Sequence, residues 1–295
     1  MKYALVLLVL FSYRAHAQWP VFKHYDKNHV NKIALPVGGI GTGTISLGGN
    51  GQWKDVEIMN RPGKGFYGSN TPKTAPCFMI YTSDPSGKKI SKALMGPIAP
   101  SDYPGAEGSF APNHGLPRFS TATFDAAYPF GTVNLEDEDM PVSAKVKVFN
   151  PLVPGNADVS GIPVAIIRYE ITNKTSNPLS VAVAGSLDNF IGIDGATFEI
   201  SDFNHNQYPI GAKKNKNTFK KSGQLSGIFM TSDSVDHTLD TWGTIALTTA
   251  EAGDITYRTE LSPKGWNANI TDMWDDFSDD GKFKDLKFKE KNDMP

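Results

Sequence analysis

A single cysteine, Cys77, leaves this chain of 295 residues without any internal disulfide. It also lacks a long run of one charge. Its 29 lysines and arginines stand against 31 acidic residues, and the densest basic stretch, Lys213, Lys214, Lys216, Lys220 and Lys221, is diluted by asparagines and reads as a solvated loop. Such a balance builds no electrostatic footprint for nucleic acid, which is not an expected partner. The histidines form no HxH or HExxH pair. That argues against zinc, and neither metal nor cofactor is expected. Ser186, beside Gly185 and near Asp188, lacks the GxSxG elbow that exposes a hydrolytic serine.

Long apolar stretches are scarce as well. Ala4 to Phe11 is too short to anchor the chain across a bilayer. It follows Lys2 and precedes Ala15-His16-Ala17, whose small residues occupy the two positions a signal peptidase requires. Residues 1–17 therefore read as a secretory signal cleaved before Gln18, with a periplasmic or extracellular destination. Arg14, so near the cut, keeps an uncleaved anchor as the alternative. Cleavage takes Lys2 and Arg14 and leaves 27 basic against 31 acidic residues, a net charge of −4. Without disulfides, an exported chain depends on its core or on a partner domain.

What remains is rich in strand signals. Short β-prone runs recur at Pro76–Ser83, Val142–Phe149, Val164–Thr172, Leu179–Gly185, Gly227–Ser232, Gly243–Thr249 and Ile255–Leu261, punctuated by Gly, Pro, Asn and Asp. Val142, Ala144, Val146 and Val148 alternate with Ser143, Lys145 and Lys147, which gives one face to a core and the other to water. Val164 to Ile167 is continuously apolar and reads as covered on both faces. No amphipathic helix of ordinary length is evident. With 39% hydrophobic and 20% charged residues, the pattern predicts an all-β fold, a large antiparallel β-sandwich with long loops. One domain is expected from Gln18 to Trp274, and residues 275–295 read as a linker or the start of a connection to a further domain. Between Pro97 and Pro141, five more prolines and several aromatics predict ordered connections packed across a sheet edge.

The segment from Leu35 to Pro62 is dense in glycine, yet Thr42–Leu47 and Gln52–Met59 flank Asn50-Gly51 as the arms of a hairpin. Gly39, Gly41 and Gly43 mimic part of a phosphate loop, but no helix follows to face an anion. A two-residue turn at Asn50-Gly51 pairs Gly48 with Trp53, Leu47 with Lys54 and Ile45 with Val56, so Trp53, Asp55 and Glu57 share a face. An indole beside two carboxylates suits a sugar, stacking on its C–H face and accepting from its hydroxyls. The competing reading is a solvated face with Trp53 packed over Gly48. Asp276, Ser278, Asp280 and Gly281 imitate the start of a calcium loop, but Lys287 stands where its glutamate belongs.

Several segments in order carry a resemblance: LPVGGIGTGTISLGGNGQWKDVEIMNRPGKG, AAYPFGTVNLEDEDMPV, VFNPLVPGNADVSGIPVAIIRYEITN, VAGSLDNFIG and MWDDFSDDGKF. Together they resemble the N-terminal domain of glycoside hydrolase family 116, the non-lysosomal glucosylceramidase (bile-acid β-glucosidase) type. The resemblance implies a β-sandwich that precedes an (α/α)6 barrel, in cis or from a split gene, and the barrel supplies the glutamate nucleophile and aspartate acid/base. It implies a β-glucoside or glycolipid substrate for the complete enzyme. No residue here matches the catalytic motifs, so no catalytic residue is carried over, and Pro295 lies close to the expected hand-over to a barrel absent from the chain. Two expectations follow: a noncatalytic supporting domain, or a stand-alone carbohydrate-binding or assembly module.

Overall fold

The computed structural model describes residues 22–57, 76–99, 113, 115–193, 198–200, 207–209, 214–263 and 268–288. The expected signal segment and the last residues of the expected linker lie outside them. In chain order the elements are β1 (Lys23–Tyr25), β2 (Ala34–Val37), β3 (Thr44–Gly48), β4 (Trp53–Glu57), β5 (Cys77–Ser83), β6 (Lys89–Ala93), β7 (Thr121–Ala127), β8 (Phe130–Glu136) and β9 (Val142–Phe149). Then follow α1 (Ala157–Ser160), β10 (Ile167–Asn173), β11 (Ser180–Ser186), β12 (Phe198–Ile200), β13 (Gln207–Pro209), β14 (Asn215–Ser222), β15 (Leu225–Ser232), β16 (Ile245–Thr249) and α2 (Ala268–Asp280).

The strands form antiparallel sheets ordered β1-β7-β8-β9-β10, β11-β5-β6, β2-β3-β4, β14-β15-β16 and β12-β13. The expected all-β class holds. In β9 the inward residues Val142, Ala144, Val146 and Val148 are buried. They meet Ile80 of β5, and Leu47 and Trp53 of the β3-β4 hairpin, in one sandwich core. β5 is covered twice. Ile80 and the half-buried Phe78 face the five-stranded sheet, while Cys77, Met79 and Tyr81 join a second core with Ile270, Met273 and Phe277 of α2. Asp137, just past β8, pins the sandwich at one end by accepting from Lys92 of β6 (2.5 Å), Ser120 N (2.8 Å) and Asp139 N (3.0 Å). Burial works against its ionisation, but Lys92 and the two backbone donors outweigh it and hold the carboxyl below the ordinary carboxylate range.

Several expectations are corrected. α2 is an amphipathic helix of 13 residues that runs through the expected boundary at Trp274, and Phe277 beyond it is 1% exposed. Residues 275–280 are thus part of the packed domain. The would-be calcium loop lies on this helix, where Asp276 accepts from Arg258. The helix carries five aspartates and no base in its last turn, an unfavourable match to its own dipole. Its surroundings compensate: Arg258 binds Asp272 and Asp276 (both 2.9 Å), Lys89 approaches Asp279 (3.5 Å), and Gly281 N caps Phe277 O at 2.8 Å.

The stretch expected as connections between Pro97 and Pro141 contains β7 and β8, central strands of the five-stranded sheet. Residues 100–112 and 114 of it lie outside the described residues. Of the basic cluster, Lys216, Lys220 and Lys221 lie on strand β14 rather than in a loop, with Lys216 paired to Asp233 and Lys220 lying 3.7 Å from the Phe229 ring centre; Lys214 just precedes the strand and Lys213 lies outside the described residues. Val164 and Ile166, expected under cover, are 52% and 53% exposed and precede β10. Ile255–Leu261 is no strand but the irregular segment that presents Arg258 to α2.

The Arg258 side chain is 4% exposed and that of Asp276 9%, so removing the guanidinium leaves this carboxylate in a dry site with only Lys284, whose exposed ammonium stands 3.6 Å away. Arg258→Leu should lower the unfolding free energy by about 3–5 kcal/mol. Urea denaturation checks it; a loss below about 1 kcal/mol would show that the clamp behaves like a surface pair.

Candidate docking surface

The hairpin expected at Asn50-Gly51 is present, but its register differs. Leu47 pairs with Trp53 and Ser46 with Lys54, one residue from the expected pairing, and a shift between Ser46 and Thr44 sets Thr44 opposite Glu57. The cause lies in Asn50. A two-residue turn of this type needs positive φ at both central positions, and here Gly51 takes it while Asn50 does not. Asn50 instead turns its side chain inward, accepting from Gln52 N (3.2 Å) and donating to Gln52 Oε1 (2.9 Å) and Pro97 O (3.3 Å). Gly48 N then reaches Gln52 O at 2.7 Å, closing a three-residue loop.

The bulge follows at Asp55, whose φ is 53°. Trp53 and Val56 are both buried, Trp53 in the sandwich core and Val56 in a smaller cluster with Phe190. Trp53 is 2% exposed and packs on Phe78 (6.1 Å between ring centres), which in turn meets Tyr169 (5.1 Å). Its indole therefore presents no open face to a sugar. Asp55 is half-buried at the bulge, and the side chain of Glu57 lies outside the described residues. The structure does not gather the three into one open face.

Cys77 is no nucleophile either. Its side chain is buried between β5 and α2, and burial pushes the thiol up from an ordinary 9.0 to about 12, with Arg118 pulling weakly the other way.

The feature that the sequence reading passed over is a cluster of exposed aliphatic side chains. Leu152, Val153, Val159, Ile162, Val164 and Ile166 are each between 36% and 53% exposed, and Ile40 is 47% exposed. Their backbone is held together by Ser160, the last residue of the one-turn helix α1. Its hydroxyl accepts from Val153 N (2.9 Å) and donates to Val153 O (3.1 Å), while its carbonyl accepts from Ile40 N at 2.7 Å. Asn156 caps the turn by accepting from Val159 N at 3.0 Å.

Gly39 explains how the two loops meet. A Cβ there would stand 2.2 Å from Ile162 O, so only glycine lets the 38–41 loop lie against 160–165. Further aliphatic side chains are exposed at a sheet edge. β10 is the edge of the five-stranded sheet and β11 the edge of the sheet facing it; Val181 and Val183 of β11 are 43% and 44% exposed. Aliphatic side chains exposed close together in the chain, rather than scattered singly, make this a candidate contact surface. It brings no acid, base or nucleophile together, so its chemistry is that of packing. Among the described residues no helix is long and apolar enough to cross a membrane.

Trp53→Ala should cost about 3–5 kcal/mol of stability, read as a fall in melting temperature; a variant as stable as wild type would show that the indole does not fill the core. The Cys77 thiol should ignore an aromatic disulfide reagent at pH 8 until the chain is unfolded. Because folding raises its pKa, its contribution to stability is fully present below pH 9.0 and is lost as the pH rises toward about 12. Fast native-state labelling would contradict this.

A family model described as beta-glucosidase 2, glycosyl-hydrolase family 116 N-term matches residues 34–295. No curated protein matches the chain.

Proposed function

Since the chain belongs to the family of glycosyl-hydrolase family 116 N-terminal domains, we propose that it is the noncatalytic domain of an exported retaining β-glucosidase of the glucosylceramidase type. In this reading it packs against and supports an (α/α)6 catalytic barrel, in cis or supplied by a separate chain, and the substrate of the assembled enzyme is a β-glucoside or glycolipid. Export rests on the signal-like start of the sequence, which lies outside the described residues.

The observation that carries the docking role is the aliphatic surface of Ile40, Val159, Ile162, Val164 and Ile166. A partner helix offering apolar side chains would gain roughly 25 cal/mol for each Å² covered. The close backbone approach at Gly39 and the Ser160 hydrogen bonds hold that surface in shape before contact, which limits the ordering cost of association. The sites weighed for acid–base work lend no competing support: Trp53 is internal and Asp55 sits half-buried at a bulge, while the side chain of Glu57 lies outside the described residues. The alternative, a stand-alone sugar-binding module at Trp53, Asp55 and Glu57, draws no support from the burial of that indole.

Two measurements test this reading. The purified chain should not hydrolyse aryl β-glucosides, and turnover abolished by Asp55→Asn or Glu57→Gln would overturn a noncatalytic role. Mixed with a separately expressed family-116 barrel, the chain should form a one-to-one complex in sedimentation, and the double variant Ile162→Asp, Ile166→Asp should weaken it at least tenfold while keeping the wild-type melting temperature. Unchanged association would sink the assignment of this surface.

A further inference from the structure

Trp242 is the most exposed indole among the described residues, at 38%, against 2% for Trp53 and a half-buried Trp274. It lies in the connection between β15 and β16, away in sequence from the aliphatic surface. An exposed ring on a loose tip would signify little. This one is held in place. Val235 anchors the connection in a small core with Ile191 and Met230. Asp236 Oδ1 accepts from both Thr238 N and Thr238 Oγ1 at 2.8 Å, and Trp242 N donates to Leu239 O at 3.1 Å.

The connection also leans on a fixed neighbour. Gly192 N donates to Thr241 O at 3.0 Å. Residues 189–191 on that side are tied to the β14-β15 sheet by asparagines: Asn215 Nδ2 donates to Asn189 O (3.0 Å) and Ile191 O (3.1 Å), and Asn189 Nδ2 donates to Thr231 O (3.0 Å). The indole is thus oriented before any ligand arrives, which lowers the entropy cost of binding.

One face of the ring is already taken. The His237 imidazole stacks on it with centres 4.4 Å apart and planes 29° from parallel. The exposed portion of Trp242 is what remains for a ligand. A flat aromatic surface backed by an imidazole fits a ligand with an apolar face to lay against the ring. The aliphatic docking surface offers no such ring.

We propose that Trp242 is a platform for a β-linked glucosyl unit of an oligosaccharide, with His237 as the backing of the ring. The identity of the sugar rests on the family reading above; the platform itself rests on the geometry. A β-glucopyranose carries its axial C–H groups on its faces and its hydroxyls around its edge, so a face is free to stack on the ring.

The full chain should be titrated with cellotetraose by calorimetry and by saturation-transfer NMR. Binding is expected, with Trp242→Ala weakening it at least tenfold at an unchanged melting temperature, Trp242→Phe retaining part of it, and maltotetraose, which is α-linked, bound more weakly. A wild-type chain that does not bind cellotetraose overturns the proposal. So does a Trp242→Ala variant that binds as well as wild type. Should Trp242→Ala fold poorly, Trp242→Phe and His237→Ala carry the comparison, and wild-type affinity in both overturns it. The Ile162→Asp, Ile166→Asp variant separates this from the docking reading, since it should bind cellotetraose normally. Loss of barrel association in Trp242→Ala with sugar binding intact would place the indole in the domain interface instead.

Discussion

The structure depends on one strand being covered twice. β5 carries apolar side chains on both faces, Phe78 and Ile80 on one and Cys77, Met79 and Tyr81 on the other. A strand of this kind cannot lie on the surface of a two-layer sandwich, because one of its faces would meet water. The five-stranded sheet satisfies the first face and α2 the second. The helix is therefore the third layer that the composition of β5 demands. Its poor intrinsic credentials, five aspartates with an acidic C-terminal turn, are tolerated because burial of Ile270, Met273 and Phe277 and the Arg258 clamp outweigh them.

Which parts were legible in advance follows from how local their causes are. β9 was readable from Val142 to Phe149 because strict alternation is a local signal. The continuous apolar run at β5 and the two arms of the glycine-rich hairpin were readable for the same reason. α2 was hidden because propensity and charge argued against a helix, although Ile270, Met273, Trp274 and Phe277 keep helical spacing; the cation that settles the matter comes from Arg258, distant in sequence. β7 and β8 were hidden by the prolines around them. Their Thr and Ala residues become strand material only when paired across a sheet. The hairpin register failed on a side chain, since Asn50 bonding to Gln52 and Pro97 is a tertiary choice that a turn dipeptide does not announce.

The candidate surfaces were less legible than the fold. Trp53, Asp55 and Glu57 were singled out on alternation, and a single bulge at Asp55 undoes alternation. The aliphatic surface was passed over because Val164 and Ile166 look like strand interior in a string of letters. Only the edge position of β10 and the close approach at Gly39 reveal that they face outward. Trp242 escaped notice because an isolated tryptophan between polar residues has no periodic partner; its stack with His237 and the brace through Gly192 exist only in three dimensions.

The open side of the sandwich carries a cost of its own. β10 and β11 each end a sheet, and each leaves a row of backbone donors and acceptors beside exposed valines or isoleucines. A strand edge with aliphatic neighbours is a template for pairing with another chain, which folded proteins ordinarily blunt with charge or cover. Arg168 and Glu170, an ion pair on β10, are a partial guard. The valines of β11 have no such guard next to them in sequence. Left uncovered, such an edge makes aggregation the hazard to watch, so whatever covers it would serve solubility as well as function.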